Sequence, residues 1–174
     1  AFKMDAIDMT FEDEKITLRA NAKDSLSTNI DLEFKNVDLY KVTPEIDSLN
    51  LGGTVNGGLN VSKYNNIYLP KSKLDIDNFT VNRFNLGAFK ADIKGNSSLT
   101  NYDVEVLIKD DTTASFSAKG NLDVSGEKSN LDLDLKFKDF ILDPLNPFGG
   151  GAITNIRGFV TGSSKITGRL EKPQ

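Results

Sequence analysis

The feature that most constrains this chain is an alternation that slips. In Leu131 to Leu142, LDLDLKFKDFIL, the residues Leu131, Leu133, Leu135 and Phe137 alternate with Asp132, Asp134, Lys136 and Lys138, and then one extra residue intervenes before Phe140 and Leu142 carry the pattern on. A period of two is what a β-strand with one apolar and one solvated face requires, and an inserted residue that keeps the face is a β-bulge. The slip recurs: Leu135, Phe137, Phe140, Leu142 has counterparts in Leu32, Phe34, Val37, Leu39; in Leu74, Ile76, Phe79, Val81; and more weakly in Phe2, Met4, Ile7, Met9. Two copies are followed by a second matched element. Leu51, Gly53, Val55, Gly57 and Val61 align with Ile156, Gly158, Val160, Gly162 and Ile166, each pair 105 residues apart. The chain is an imperfect repeat of strands.

Almost everything else reads as strand too. Ile16 to Ala22, Val104 to Ile108 and Phe116 to Val124 alternate strictly, helical spacing is sustained nowhere, and the breaks FEDEK, AKDSLSTN, SLTNY, KDDTT and SGEKSN are short polar turns. Ten or so consecutive antiparallel strands are expected. Pro44, Pro144 and Pro147 place seams in the two longer connections, YKVTPEID and LDPLNPFGGGAITN, because proline cannot donate to a ladder. The chain is read as one β unit over residues 1–174, with approximate sub-repeats 1–62 and 63–174. Phe2 and Met4 stand in strand register at the start and GRLEKPQ leaves it only at Pro173, so both ends read as cut from a longer sheet.

A long flat sheet would twist or curl, and bulges at a repeated place add bend, so the slip reads as a crease. The expected fold is all-β: a curved antiparallel meander folded as a β-taco around a hydrophobic groove. The same alternation fits a closed β-sandwich, in which two inner faces fill one another. The repeat and the uncapped ends favour the taco. The apolar positions singled out as groove lining are Leu32, Phe34, Ile76, Phe79, Val104, Val106, Phe116, Leu122, Leu133, Leu135, Phe137, Phe140, Val160 and Ile166.

Composition removes whole classes of function. A net charge of −4, with 21 Lys and Arg scattered among 25 Asp and Glu, gives no nucleic-acid surface. With no Cys and no His there is no disulfide or thiolate-metal scaffold and no usual proton shuttle. Asp132 with Asp134, and Asp75 with Asp77, put paired carboxylates on one strand face, but that face is the solvated one and no third ligand joins them. The acidic runs Glu12 to Glu14 and Asp110 to Asp111 read as hairpin tips. Gly52, Gly53, Gly57, Gly58 and Gly149 to Gly151 lack the following helix and Lys-Ser/Thr of a phosphate loop. The N-x-S/T triplets at Asn60, Asn78 and Asn96 follow from an Asn-rich composition, and no Ser has a base. No catalytic residue, metal site or cofactor is assigned.

The repeated phrases FKNVDL, IDNFTV and FKDFIL, the Gly-spaced strands after them, and the tail GFVTGSSKITGRLEKP resemble the repeats of the TamB (translocation and assembly module) family and, more loosely, of its AsmA-like relatives. The likeness covers most of the chain as pattern. It implies a periplasmic segment of a protein anchored in the inner membrane by a part outside this sequence. It also implies a groove that takes phospholipid acyl chains, or nascent β-strands during outer-membrane protein assembly, with a TamA- or BamA-type partner engaged by regions outside these residues. The alternative is a closed β-sandwich serving as a structural or adhesion module of a secreted or surface protein.

Overall fold

The computed structural model describes residues 2–22, 26–43, 49–64, 67–110, 113–126, 129–149, 155–169 and 172–173. They form a single antiparallel sheet of eleven strands whose spatial order is the chain order. The strands are β1 (Phe2–Phe11), β2 (Glu14–Ala22), β3 (Ser27–Asp38), β4 (Leu51–Tyr64), β5 (Ile67–Val81) and β6 (Phe84–Gly95), then β7 (Asn101–Asp110), β8 (Thr113–Asp123), β9 (Asn130–Ile141), β10 (Phe159–Arg169) and the two-residue β11 (Lys172–Pro173). The protein is a curved, open β-meander. Among the described residues no second sheet faces it, so they do not form the closed sandwich of the alternative expectation.

All four slips are breaks in ladder register, at Met4/Ile7, Phe34/Val37, Ile76/Phe79 and Phe137/Phe140. Three of them turn on a short polar residue in the left-handed region: Asn36 (φ 53°), Asn78 (φ 52°) and Asp139 (φ 48°). Asn and Asp tolerate that region better than other residues with a Cβ. The fourth and weakest copy has Ala6 in the corresponding place, and Ala6 has no positive φ. Two bulges are stitched alike across the repeat. The Asn36 N–H donates to Asn56 Oδ1 at 2.9 Å, and the Asp139 N–H donates to Thr161 Oγ1 at 2.9 Å.

The bulges do not all lie at one height. Ile76 and Phe137 share the cross-strand row Val37, Val55, Ile76, Phe89, Ile108, Phe116, Phe137. Phe34 lies one row away, with Gly57, Leu74, Ala91, Val106, Ala118 and Leu135. Met4 pairs with Ala20, in the row of Ile30, Val61 and Pro70, so the first bulge is well off the crease. Three slips therefore make a stepped crease, and the fourth bends only the edge hairpin.

The two long connections each open with a short helical turn. Asp38 caps α1 (Leu39–Val42), its side chain accepting from the Tyr40 N–H at 3.0 Å, and Leu39 is buried. The matching connection begins as a 3-10 helix, Asp143–Gly149, in which Pro144 is fully buried. Pro44 lies outside the described residues. Among the described residues, no helix is long and apolar enough to cross a membrane.

Candidate functional site

The apolar face is built from rows that run strand to strand. One row is Ile7, Leu18, Leu32, Leu59, Ser72, Ile93, Val104, Gly120, Leu133, Ile166. The fourteen expected lining residues distribute over five neighbouring rows of this face. Leu32, Val104, Leu133 and Ile166 sit in the row just given; Phe34, Val106 and Leu135 in the next; Ile76, Phe116 and Phe137 in the crease row; Phe79, Phe140 and Val160 beyond it. Leu122 lies at the opposite end, between Tyr102 and Leu131.

These residues do not share one environment. Ile76, Phe79, Leu135 and Phe140 are buried and the other ten are half-buried. At the crease the face folds into a dry cluster of Val37, Leu39, Val55, Ile76, Phe79, Leu86, Ile108 and Phe140. The rings of Phe116, Phe137 and Phe140 close on one another at 5.3 to 5.9 Å, and Phe79 tilts against Phe89 at 5.1 Å. Toward the other end the face opens: Leu59 is 41% exposed and Ile30 43%. An apolar face this open, with no partner layer among the described residues, is the candidate site of the molecule.

Sequence reasoning missed five of the eight residues of the dry cluster. Val37, Leu39, Val55, Leu86 and Ile108 were not singled out as site residues, although all but Leu86 sit in alternating runs. Leu86 hides behind a further slip, in which Phe84 and Leu86 give way to Phe89, Ala91 and Ile93 through Gly87 at φ 89°.

The opposite face is a lattice of cross-strand ion pairs. Lys90 reaches Asp75 at 2.6 Å, Lys165 reaches Asp132 at 2.7 Å and Lys119 reaches Glu105 at 3.6 Å. Hydrogen bonds to Asp75 and Asp132 hold Lys90 and Lys165 above their ordinary 10.5. These carboxylates are thus engaged with lysines. A hollow of about 610 Å³ on this face is lined by the pairs Lys94–Asp92 and Lys119–Glu105 together with Asp103, Asp132 and Asp134, and no group of three metal-ligating side chains occurs among the described residues. The Asn-x-Ser/Thr triplets have structural uses. Asn78 forms a bulge, Asn96 Oδ1 accepts from the Thr100 N–H at 2.9 Å, and Asn60 donates to Asn29 Oδ1 at 2.9 Å. Gly150 and Gly151 and the second acid of Asp110–Asp111 lie outside the described residues.

The chain matches no protein-family model, no curated protein and no solved structure. Its geometry and its own repeat therefore carry the functional argument.

Proposed function

We propose that the apolar face is a passive groove that shields phospholipid acyl chains in transit, as a periplasmic segment of a TamB-like bridge between inner and outer membranes. One observation carries this reading: mainly apolar rows run across a single sheet, half-buried to exposed away from the crease, with no facing layer among the described residues. A chain lying along them is spared water contact worth about 0.8 kcal/mol per CH₂. The lining is aliphatic and phenyl without tryptophan, and Gly57 and Gly120 leave gaps in the rows that suit flexible tails. The same surface would also hold the apolar face of a nascent outer-membrane strand. Such a groove needs no catalytic group, and the charged outer face keeps it in solution.

The test is photocrosslinking from Leu133, in the open part of the groove, with labelled phospholipid, alongside native mass spectrometry of the purified protein. Labelled lipid should attach at Leu133 and be lost in Leu32→Asp, while the protein stays folded with a urea midpoint lowered by the equivalent of about 1 to 2 kcal/mol. Absence of lipid adducts from wild-type protein at saturating vesicle concentrations would sink the reading.

A further inference from the structure

The open part of the apolar face carries a single charge. Moving along β3, β4 and β5 away from the row of Phe34, Gly57 and Leu74, the next row holds Leu32, Leu59 and Ser72, the one after it Ile30, Val61 and Pro70, and the last Thr28, Lys63 and Tyr68. Followed across the described strands, these rows contain no other Asp, Glu, Lys or Arg. Lys63 lies in the interior of the sheet, is half-buried, and makes no ion pair among the described residues. Its ammonium sits over the Tyr68 ring, 5.5 Å from the centroid. The hydroxyls of its ladder neighbours Thr28 and Tyr68 have no hydrogen-bond partner among the described residues.

The crease end is different. There Glu14, next to Ile16 in the face, is neutralised by Lys41 at 2.6 Å. Lys63 has no such counter-ion, and what stands behind it on β4 is apolar: Val61, the exposed Leu59, then Gly57, with the exposed Ile30 alongside. At a rise of about 3.3 Å per residue, Gly57 lies roughly 20 Å from Lys63. Beyond it Val55 already belongs to the dry cluster. A bilayer measures about 40–45 Å with its headgroups, so one leaflet, from phosphate to chain end, spans roughly the same 20 Å.

We infer that Lys63 is the phosphate contact of a lipid site, pairing with the phosphate of a phospholipid whose acyl chains cross the apolar rows along β4 and end against the crease cluster. The inference rests on the reading of this face as an acyl groove. It adds a polarity, with headgroups at the Lys63 end of the strands and chain ends at the crease, and a selectivity for phosphate-bearing lipids over neutral glycerides. On binding, the ammonium exchanges its ring contact for a charge-assisted hydrogen bond, and the Thr28 and Tyr68 hydroxyls are available as further donors. Lysine suits the place, since its long stem lies on apolar surface while its compact charge reaches the rim.

The experiment uses the whole protein with phosphatidic acid and diacylglycerol of identical chains, each presented in neutral maltoside micelles. The wild-type protein should prefer phosphatidic acid by about fivefold, the worth of one partly exposed ion pair. Lys63→Gln should lose the preference and Lys63→Arg should keep it, with urea midpoints matching the parent's. Glycerol 3-phosphate, which has no tails, should not displace the lipid; displacement would mean a site for free phosphate and would overturn the inference. Phosphatidic acid with a photoreactive group at the headgroup should label Thr28, Lys63 or Tyr68 and their neighbours, and with the group at the chain end should label the row of Phe34, Gly57 and Leu74. Labelling of the face without this polarity, or a preference unchanged in Lys63→Gln, would overturn the inference and leave the groove standing. No labelling by either probe would remove both.

Discussion

The β3–α1–β4 unit and its counterpart, β9 with the 3-10 helix and β10, share a sequence pattern and a stitched bulge, but one lies inside the sheet and the other near its rim. Inside, Val55 is 4% exposed and contributes to the dry cluster, whereas its counterpart Val160 is half-buried. Thr54 pairs with Asp77 on β5, while Phe159, in the same place, is 72% exposed. Matching local patterns thus give different burial, because burial on a sheet is decided by the next strand over.

The sharpest way to break this comparison is to put a side chain on the paired glycines. Gly57→Val drives a branched side chain into the Lys73 carbonyl at a φ of 113°, and should lower stability by about 3 kcal/mol or more, read as a urea midpoint. Gly162→Val meets backbone strain alone and should cost about 1 kcal/mol. Equal losses would mean that β10 is as enclosed as β4.

A charge on the apolar face comes next in size. Val55→Asp buries an unpaired carboxylate in the crease cluster and should cost about 3 to 5 kcal/mol. Leu133→Asp, half-buried in the open rows, should cost about 1 to 2 kcal/mol while abolishing lipid contact. Thermal melts of the two variants, run side by side, test whether the face is dry at one end and accessible at the other.

Smaller effects separate the bulges. Asn36→Ala and Asp139→Ala should each lose about 1 to 2 kcal/mol, the penalty of the left-handed region for a residue with a Cβ and no local hydrogen bond. Asn36→Gly should be neutral within about 0.5 kcal/mol. Asp139→Gly should fall slightly below that, since it also loses the bond from Thr161 Oγ1 to Asp139 Oδ1 at 3.0 Å.

The smallest effect expected is that of pH. Hydrogen bonds from Lys15 and Thr17 hold Asp8 below its ordinary 3.8, so its contribution is complete above that value and is lost as pH falls through the lower folded value. Hydrogen bonds to Glu14 and Asp132 raise Lys41 and Lys165 above 10.5, one pair at each repeat. Their contributions are complete below 10.5 and are lost as pH rises through the folded values. With no histidine, urea midpoints should be flat from about pH 5 to pH 9. A transition near pH 6.5 would contradict this assignment.

Much of the fold was legible because a period of two is unforgiving: shifting by one residue moves every side chain to the other face, so each slip is visible in the letters. The bulges at Phe34, Ile76 and Phe137 were read in this way. The turn at Asn82 and Arg83, with φ of 50° and 75°, was not, because Arg is no turn signal and its left-handed φ is imposed by the hairpin. Ile156 was read as strand by its match to Leu51, yet β10 begins only at Phe159. Asn146 holds Ile156 instead, accepting its N–H and donating to its carbonyl, both at 2.7 Å. Leu51 has a ladder partner on β5, Val81, to keep it extended. The division of the groove into a dry and an open half was also out of reach, since alternation reports which face a residue takes and not what stands over it.

The identity of strand order and chain order has a consequence for how the molecule comes into being. Every strand finds its partner in the segment just before it, so loop closure is short and contact order low for an all-β protein. A polypeptide arriving end first can lay down each hairpin on the last, with no strand waiting unpaired for a distant mate. The growing edge then exposes only the last strand laid down, and it moves along the chain with synthesis.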